Sequence, residues 1–487
     1  MLNSKVIDIL KSFSDKEIKR FEEFLLSPFH TKNKKAALLF RLLSEYHPGY
    51  DNQSLTKENL FQKIFASEVK NYNDASIRNL LSDLMILAEK FLSYIAFEKD
   101  KFDVLEKGLR ELSERRLSGV FDKKLNSTDE LFNPKEFEGE IRFFNKHIIE
   151  ELKSSSLQFK DNLKLYKDNS LIKSTDYLTY YYLIKIFKLL NFIEFQKQYS
   201  ADSSSLLISK ILTGINIEDV LKHAEQFSKE YYEILLVYYN MYKALAYPLN
   251  YDYYFEFKKS LLKYDEIFVP IEKYGLYVCL SNSCIQKIDN GDEKFFKECF
   301  SVYEIMFKKN VFDCYPGYLS MTTFTSVIIT GLAACEHEKV EVYIKDNSDK
   351  LNPDHKSDAV NYAMSQLYFY KKEYEKALVS ISKIDFEFSS FKYHLRITSL
   401  KIYFETGDYE MLYYTSDSFL HFINKNKMVG SLYNEEFRSF MKILDLLVKY
   451  KLNKDDDVSQ KIKMLFDNKR TANKKWLVEK FYEMVSR

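Results

Sequence analysis

The amino-acid sequence predicts an all-α fold made of helical hairpins, and three observations support that prediction. The 487 residues include only 11 glycines and 7 prolines, which leaves few turn-forming residues for a β-rich fold. Apolar residues recur at intervals of three and four along most of the chain, which is the period of an amphipathic α-helix. Between residues 357 and 423 the pattern of helix, short turn and helix occurs twice, with Tyr374 and Tyr409 at equivalent places about 35 residues apart. We therefore expect hairpins that follow one another along the chain.

Residues 1–128 are expected to form an N-terminal helical domain. Ser14 and Glu17 have the spacing of a capping box at the start of its second helix, and Pro28 ends that helix. Asn73 precedes a longer helix whose apolar residues repeat at helical spacing. The polar residues 126–129 mark the predicted end of this domain.

A long connecting helix is predicted over residues 129–170, and a helical solenoid with C-terminal capping helices over residues 171–487. Pro134 suits the first turn of the connecting helix, because an amide there would have no partner within the helix. Asp176 is expected to cap the first strongly apolar helix of the solenoid.

Turns of the predicted hairpins fall near Gly291, Glu336, Lys372 and Gly407. Glycine readily takes the left-handed conformation that ends a helix. Each of the two glycines is followed by an aspartate, which can cap the next helix with its side chain. The four turns are 45, 36 and 35 residues apart along the chain.

The last predicted helix, residues 472–485, is expected to close the stack. A terminal helix of a repeat array needs a polar outer face, because no further repeat covers it. The polar residues that would form this face are Lys474, Lys475, Glu479 and Lys480.

The segment from Val360 to Ile384 resembles a tetratricopeptide repeat, a unit of roughly 34 residues. The residues that carry the resemblance are Ser365, Tyr368, Tyr374 and Ala377. A second copy keeps Tyr403, Gly407, Asp408 and Tyr409, but has Leu400 and Leu412 where the family has small residues. The resemblance is clearest over residues 357–423.

The resemblance implies a protein or peptide ligand bound in a groove that the first helix of each hairpin lines. Mapped onto this chain, the groove residues are Tyr362, Gln366, Phe369, Tyr370, Ile397, Lys401 and Phe404. The alternative is that these side chains pack against the neighbouring hairpin and bind nothing.

Residues 55–92 bear a weaker resemblance to the helix-turn-helix of bacterial transcriptional activators. That resemblance would place four polar residues in the DNA major groove, namely Asn73, Ser76, Arg78 and Asn79. The β-hairpin wing of those activators has no counterpart, since the sequence after Glu89 stays helical. The alternative is an ordinary helical hairpin without DNA contact.

No constellation of residues in the sequence carries chemistry. The 11 glycines form no phosphate-binding loop, and the eight histidines never recur at the spacing of a helical metal site. We therefore expect no catalytic activity, no cofactor, no metal and no identifiable small-molecule ligand.

The expected function is a non-catalytic scaffold that binds a protein or peptide partner, and the alternative is a transcriptional regulator with a sensing solenoid. A formal net charge of +1 produces no overall electrostatic field that attracts nucleic acid or an anionic membrane. Nucleic acid is therefore expected as a partner only under the alternative function, the transcriptional regulator. The least charged run, residues 321–335, is too short to span a bilayer, and no membrane partner is expected. Five cysteines, an odd number, favour the reducing cytoplasm.

Overall fold

The computed structural model describes residues 4–65, 71–126, 139–158, 168–197, 207–314, 317–385, 389–425, 431–468 and 471–486. These residues form 24 α-helices and no β-strand, which confirms the predicted all-α fold. The first eight helices are α1 (Lys5–Lys11), α2 (Asp15–Leu26), α3 (Lys34–Ser44), α4 (Lys57–Phe65), α5 (Asp74–Lys99), α6 (Lys101–Glu114), α7 (Ser118–Leu125) and α8 (Gly139–Gln158). The next eight are α9 (Ser170–Lys197), α10 (Leu207–Leu212), α11 (Ile217–Phe227), α12 (Lys229–Ala246), α13 (Tyr251–Tyr264), α14 (Pro270–Asp289), α15 (Lys294–Lys308) and α16 (Met321–Ala333). The last eight are α17 (His337–Asn347), α18 (Pro353–Tyr370), α19 (Tyr374–Ser382), α20 (Ser389–Thr406), α21 (Tyr409–Lys425), α22 (Ser431–Asn453), α23 (Asp456–Asn468) and α24 (Lys474–Val485).

The chain divides into two compact units. The first comprises Met1–Phe132 and Ile148–Ser174, and the second comprises Asn133–His147 and Thr175–Arg487. Helix α8 contributes residues to both units, whereas the sequence suggested a separate connecting helix. The predicted start of that helix, at Pro134, lies outside the described residues.

The first unit has its core between α1, α2, α3, α4 and α5. Phe21 on α2 is fully buried, and its ring centroid lies 4.8 Å from that of Phe40 on α3 and 5.1 Å from that of Phe91 on α5. The predicted capping box is present, because the Ser14 hydroxyl accepts from the Glu17 amide and the Glu17 carboxylate accepts from the Ser14 amide. These two bonds satisfy amides that the first turn of α2 would otherwise leave unpaired.

In the second unit, contacts follow the order of the chain. Helices pair as α12 with α13, α14 with α15, α16 with α17, α18 with α19, α20 with α21 and α22 with α23. The first helices of successive pairs also contact each other, as in α12 with α14, α16 with α18 and α18 with α20. This succession is what stacked hairpins require, while the assignment to a repeat family stays a prediction.

All four predicted turns contain one residue in the left-handed conformation. The residues are Gly291 at φ 97°, Cys335 at φ 64°, Lys372 at φ 61° and Gly407 at φ 77°. At each turn the amide after the left-handed residue donates to the carbonyl five residues earlier, as Asp408 does to Tyr403 at 2.9 Å and Glu373 to Tyr368 at 2.8 Å. This bond identifies a Schellman motif, which satisfies a carbonyl left unpaired by the end of the helix. Asp292 and Asp408 then accept from amides of the following helix, as predicted.

Asp176 does not cap α9, because that helix begins six residues earlier, at Ser170. Asp168 provides the polar contacts instead, since its carboxylate accepts from both the amide and the hydroxyl of Ser170, each at 3.0 Å. The apolar pattern used to place the start of the helix begins later than the helix itself, because the first turns of α9 carry few buried residues.

We predict that Lys372→Gly stabilises the chain by about 0.5–1 kcal/mol. A side chain in the left-handed region is strained, and glycine removes that strain. Lys371→Gly is the matched control, since Lys371 has a right-handed φ of −74°, and glycine there gains nothing. The measurement is urea unfolding of both variants, and equal effects of the two substitutions would contradict the prediction.

Candidate helix-binding face

Most of the seven predicted groove residues are buried within the chain. Tyr362 is 1 % exposed, Ile397 2 %, Phe404 2 % and Phe369 7 %. Tyr362 packs in a small cluster with Leu395, so the structure does not bring it together with the others. These positions favour packing over an open groove, and partner binding through them stays a prediction.

The two remaining groove candidates on α18 are more accessible. Tyr370 is 38 % exposed, and its ring centroid lies 6.0 Å from that of His337. Gln366 is half-buried and donates from its side-chain amide to the Thr398 hydroxyl at 3.0 Å, which links α18 to α20. Tyr370 is therefore the predicted groove residue that offers the most surface to a partner.

A helix of the chain itself covers the predicted face. Trp476, on α24, packs edge-on against Phe404 of α20 with 5.5 Å between ring centroids, and lies 6.4 Å from Phe440 of α22. Its indole Nε1 donates to Glu405 Oε1 at 3.2 Å. We call the surface formed by Phe369, Lys401, Phe404, Glu405 and Phe440 the α24 seat.

Glu405 is the charged anchor of the α24 seat. Lys480 Nζ lies 2.9 Å from the same Oε1 that accepts from Trp476, and both side chains of this ion pair are largely shielded, at 16 % and 17 % exposure. An ion pair that is partly removed from water is less screened than a surface pair. Glu405 thus binds one apolar and one basic side chain of α24, four residues apart and so on one face of that helix.

Lys401 is a buried cation in the α24 seat. Its Nζ lies 4.4 Å from the ring centroid of Phe369 and 5.5 Å from that of Trp476, and donates to Asn473 Oδ1 at 3.2 Å. Burial lowers the pKa of Lys401 from 10.5 to about 8, because the charged form loses its hydration, although Glu405 and Glu479 oppose this effect. The aromatic faces supply part of the missing hydration through cation–π attraction.

The rest of α24 is attached through apolar contacts and a peripheral hydrogen bond. Leu477 and Phe481 are fully buried, and Phe481 packs against Tyr450 and Phe466 at centroid distances of 5.7 and 6.0 Å. Lys454 Nζ donates to the Met484 carbonyl at 2.7 Å. The helix is therefore amphipathic and held along one face.

Of the four polar residues predicted to face outward on the last helix, three are exposed in the structure and one is largely shielded. Lys474, Lys475 and Glu479 are exposed, as expected for a capping helix. Lys480 instead turns toward Glu405, and Lys475 forms an ion pair with Glu293, at the start of α15, at 2.9 Å. Helix α24 thus contacts hairpins well before its own place in the chain, which a cap on the end of a stack does not require.

A second buried polar cluster, around Glu272 on α14, escaped the sequence analysis. Both oxygens of the Glu272 carboxylate lie 3.2 Å from the Gly139 amide at the start of α8, and Tyr238 donates its hydroxyl to Glu272. Lys188 Nζ lies 3.7 Å from Glu272 and 2.5 Å from the buried Glu140. The carboxylate satisfies the helix N-terminus, so the cluster attaches the first turn of α8 to α9, α12 and α14.

Lys287 is a second buried lysine, and the sequence analysis did not identify it. It is 1 % exposed, and its Nζ lies 5.3–5.7 Å from the ring centroids of Tyr251, Tyr254 and Phe295. Burial lowers its pKa. The sequence contains a signal for both lysines. Lys287 comes three residues after Cys284, and Lys401 comes four residues after Ile397. Each lysine therefore lies on the apolar stripe of its helix, where a lysine is unexpected.

The residues of the DNA-binding alternative lie at the start of α5. Asn73 caps that helix, with its side chain accepting from the amides of Ala75 and Ser76. Arg78 forms an ion pair with Asp74 at 2.7 Å, while Asn79 is exposed. Two of the four candidates, Asn73 and Arg78, thus have partners within the chain, and DNA binding stays a prediction.

Within the described residues, no group of three or more His, Cys, Asp or Glu side chains is placed to hold a metal ion. Over the same residues, each helix is either too short or too polar to cross a bilayer. Comparison with models of protein families, with curated proteins and with solved structures finds no match to this chain.

Proposed function

We propose that the chain is a non-catalytic scaffold of stacked, tetratricopeptide-like hairpins that binds an amphipathic helix of a partner protein. The observation that carries this proposal is the occupied α24 seat. The seat lies on first helices of the hairpins and includes three residues predicted to bind a partner, Phe369, Lys401 and Phe404. It already holds a helix through an aromatic side chain, apolar contacts and a shielded ion pair. Amphipathic helices that dock by such anchors are a recurrent mode of protein recognition.

The composition of the α24 seat suits a helix better than an extended peptide. Trp476 and Lys480 stand one helical turn apart and meet the same carboxylate, Glu405, a spacing that an extended strand does not reproduce. An extended ligand needs a row of unpaired backbone groups for hydrogen bonding. Helices already satisfy theirs. We assign the protein to the cytoplasm, a proposal that the buried free thiols Cys284 and Cys299 support.

Site-specific crosslinking tests this function. A photoreactive amino acid replaces Tyr370, the most exposed predicted groove residue, in the full chain expressed in its own cells. The control carries the same amino acid at Tyr414 of α21, which is 71 % exposed. We expect an adduct with an amphipathic segment of one partner from position 370 and not from 414.

Mass spectrometry of the adduct identifies the crosslinked segment. Adducts of equal yield and identity from both positions would show adventitious contact, and adducts from 414 alone would place binding on another surface. Either result rejects the proposal.

A further inference from the structure

We infer that α24 is a displaceable occupant of the α24 seat, and that the partner helix repeats its contact pattern: an aromatic residue, an adjacent apolar residue, and a lysine or arginine one turn later. This inference rests on the proposed function and adds to it the chemistry of the ligand and an intramolecular competitor. In this chain the pattern consists of Trp476, Leu477 and Lys480, followed by Phe481.

Helix α24 has contacts beyond those that join successive hairpins of the stack. Each of the six pairs from α12 to α23 is joined by contacts between its own two helices. Helix α24 contacts α22 and, through Phe481, Phe466 of α23. Its Trp476 also packs against Phe404 of α20, which belongs to the preceding hairpin. Its Lys475 reaches Glu293, at the start of α15. It therefore lies across the first helices as a ligand would.

The energetics of the contact are suited to release. Helix α24 has 12 residues, and isolated helices of that length are marginal in water, so its order depends on docking. Docking also completes the burial of the Lys401 ammonium, whose Nζ contacts two aromatic rings and the side-chain oxygen of Asn473. Removing a cation from water costs free energy and opposes docking. This cost offsets part of the free energy that the apolar contacts of α24 contribute, which favours exchange with a partner helix.

Competition between α24 and a partner follows from their connection. A tethered helix faces its seat at an effective concentration of roughly millimolar. A free helix with the same contacts therefore binds the intact chain weakly, and binds strongly when the tethered copy is weakened. A partner helix with better contacts at the seat displaces α24. The tethered helix therefore sets the minimum affinity that a partner needs in order to bind.

A peptide-binding experiment on the full chain tests the inference. The probe is a fluorescein-labelled synthetic peptide with the sequence of residues 471–486, and the readout is fluorescence anisotropy. Lys480→Glu in the chain places a carboxylate against Glu405 and weakens the tethered helix. We expect this variant to bind the peptide at least tenfold more tightly than the unaltered chain does.

Lys463→Glu is the matched control, because Lys463 is exposed on α23 and the substitution makes the same change of charge. We expect its affinity for the peptide to equal that of the unaltered chain. The emission of Trp476, the single tryptophan, should shift to longer wavelength in Lys480→Glu alone, because release exposes the indole to water.

A charge exchange provides a second, independent variant. Glu405→Lys in the chain should reject the natural peptide and prefer a peptide that carries Lys480→Glu, since the ion pair is restored with reversed signs. Circular dichroism verifies that both chain variants keep their helix content. Absence of this preference would show that the seat does not recognise the charged residue of the helix, and it would overturn the inference.

The possible failures are distinguishable. If the unaltered chain and Lys480→Glu bind the peptide equally well, α24 is not a competitor, and the inference fails while the proposed function stands. If neither chain binds the peptide and position 370 captures no partner, the proposed function fails as well.

Discussion

Phe404→Ala is expected to lower the free energy of unfolding by about 3–5 kcal/mol, which is the usual range for removing a buried phenylalanine. The Phe404 ring is 2 % exposed, packs against Trp476 and lies 4.8 Å from Lys451 Nζ. Its loss removes apolar burial and leaves a cavity between α20 and α24. Urea unfolding followed by Trp476 emission measures the effect at the site itself.

The control for Phe404→Ala is Tyr414→Ala on α21. Tyr414 is 71 % exposed, and surface substitutions usually change stability by less than about 0.5 kcal/mol. A loss below about 1 kcal/mol in Phe404→Ala would show that the ring is not required for packing.

Lys401→Met is expected to stabilise the chain at pH 7 by about 1–3 kcal/mol, because an apolar side chain of similar length replaces a buried cation. The gain arises from removing the desolvation penalty that lowers the pKa of Lys401 to about 8. The lost hydrogen bond to Asn473 and the lost cation–π contacts reduce the gain without reversing it. Urea unfolding at pH 7 measures it, and Lys463→Met, at an exposed position, is the control.

The same lysine predicts a dependence of stability on pH. The folded-state pKa of about 8 lies below the ordinary value of 10.5, so the unfolded chain binds more protons between these values. Stability must therefore rise as the pH increases through that window, by on the order of 3 kcal/mol if the full shift is realised.

Measurements between pH 7.5 and 9.5, below the range where most tyrosines ionise, isolate this contribution. The unaltered chain should gain stability across the interval, and Lys401→Met should not. Parallel curves for the two chains would show that Lys401 stays hydrated in the folded state.

Local structure was largely predictable from the sequence. The capping box of Ser14 and Glu17 and the left-handed turns at Gly291 and Gly407 depend on residues within one helical turn of each other, and the structure confirms them. The start of α9 was predicted too late because its first turns carry few buried residues, so the apolar pattern begins near Asp176 and not at Ser170.

The candidate site was predictable only in part. Phe404 and Lys401 were named because the tetratricopeptide resemblance implies a groove along the first helices, and helical periodicity placed them on α20. Periodicity does not indicate what covers a face. The contact between Phe404 and Trp476 joins residues far apart in the chain, and nothing near either residue encodes it.

The sequence by itself determined that this chain is all helical, where its hairpin turns lie and which residues form the apolar stripe of each helix, because these properties arise from interactions within a few residues. Only the tertiary structure decided that α24 lies over Phe404, that Glu405 binds both Trp476 and Lys480, and that Lys401 is enclosed by aromatic rings. Those contacts depend on the path of the chain between distant helices. The burial of apolar surface that stabilises them is non-directional, so the local sequence does not specify which helix covers which face.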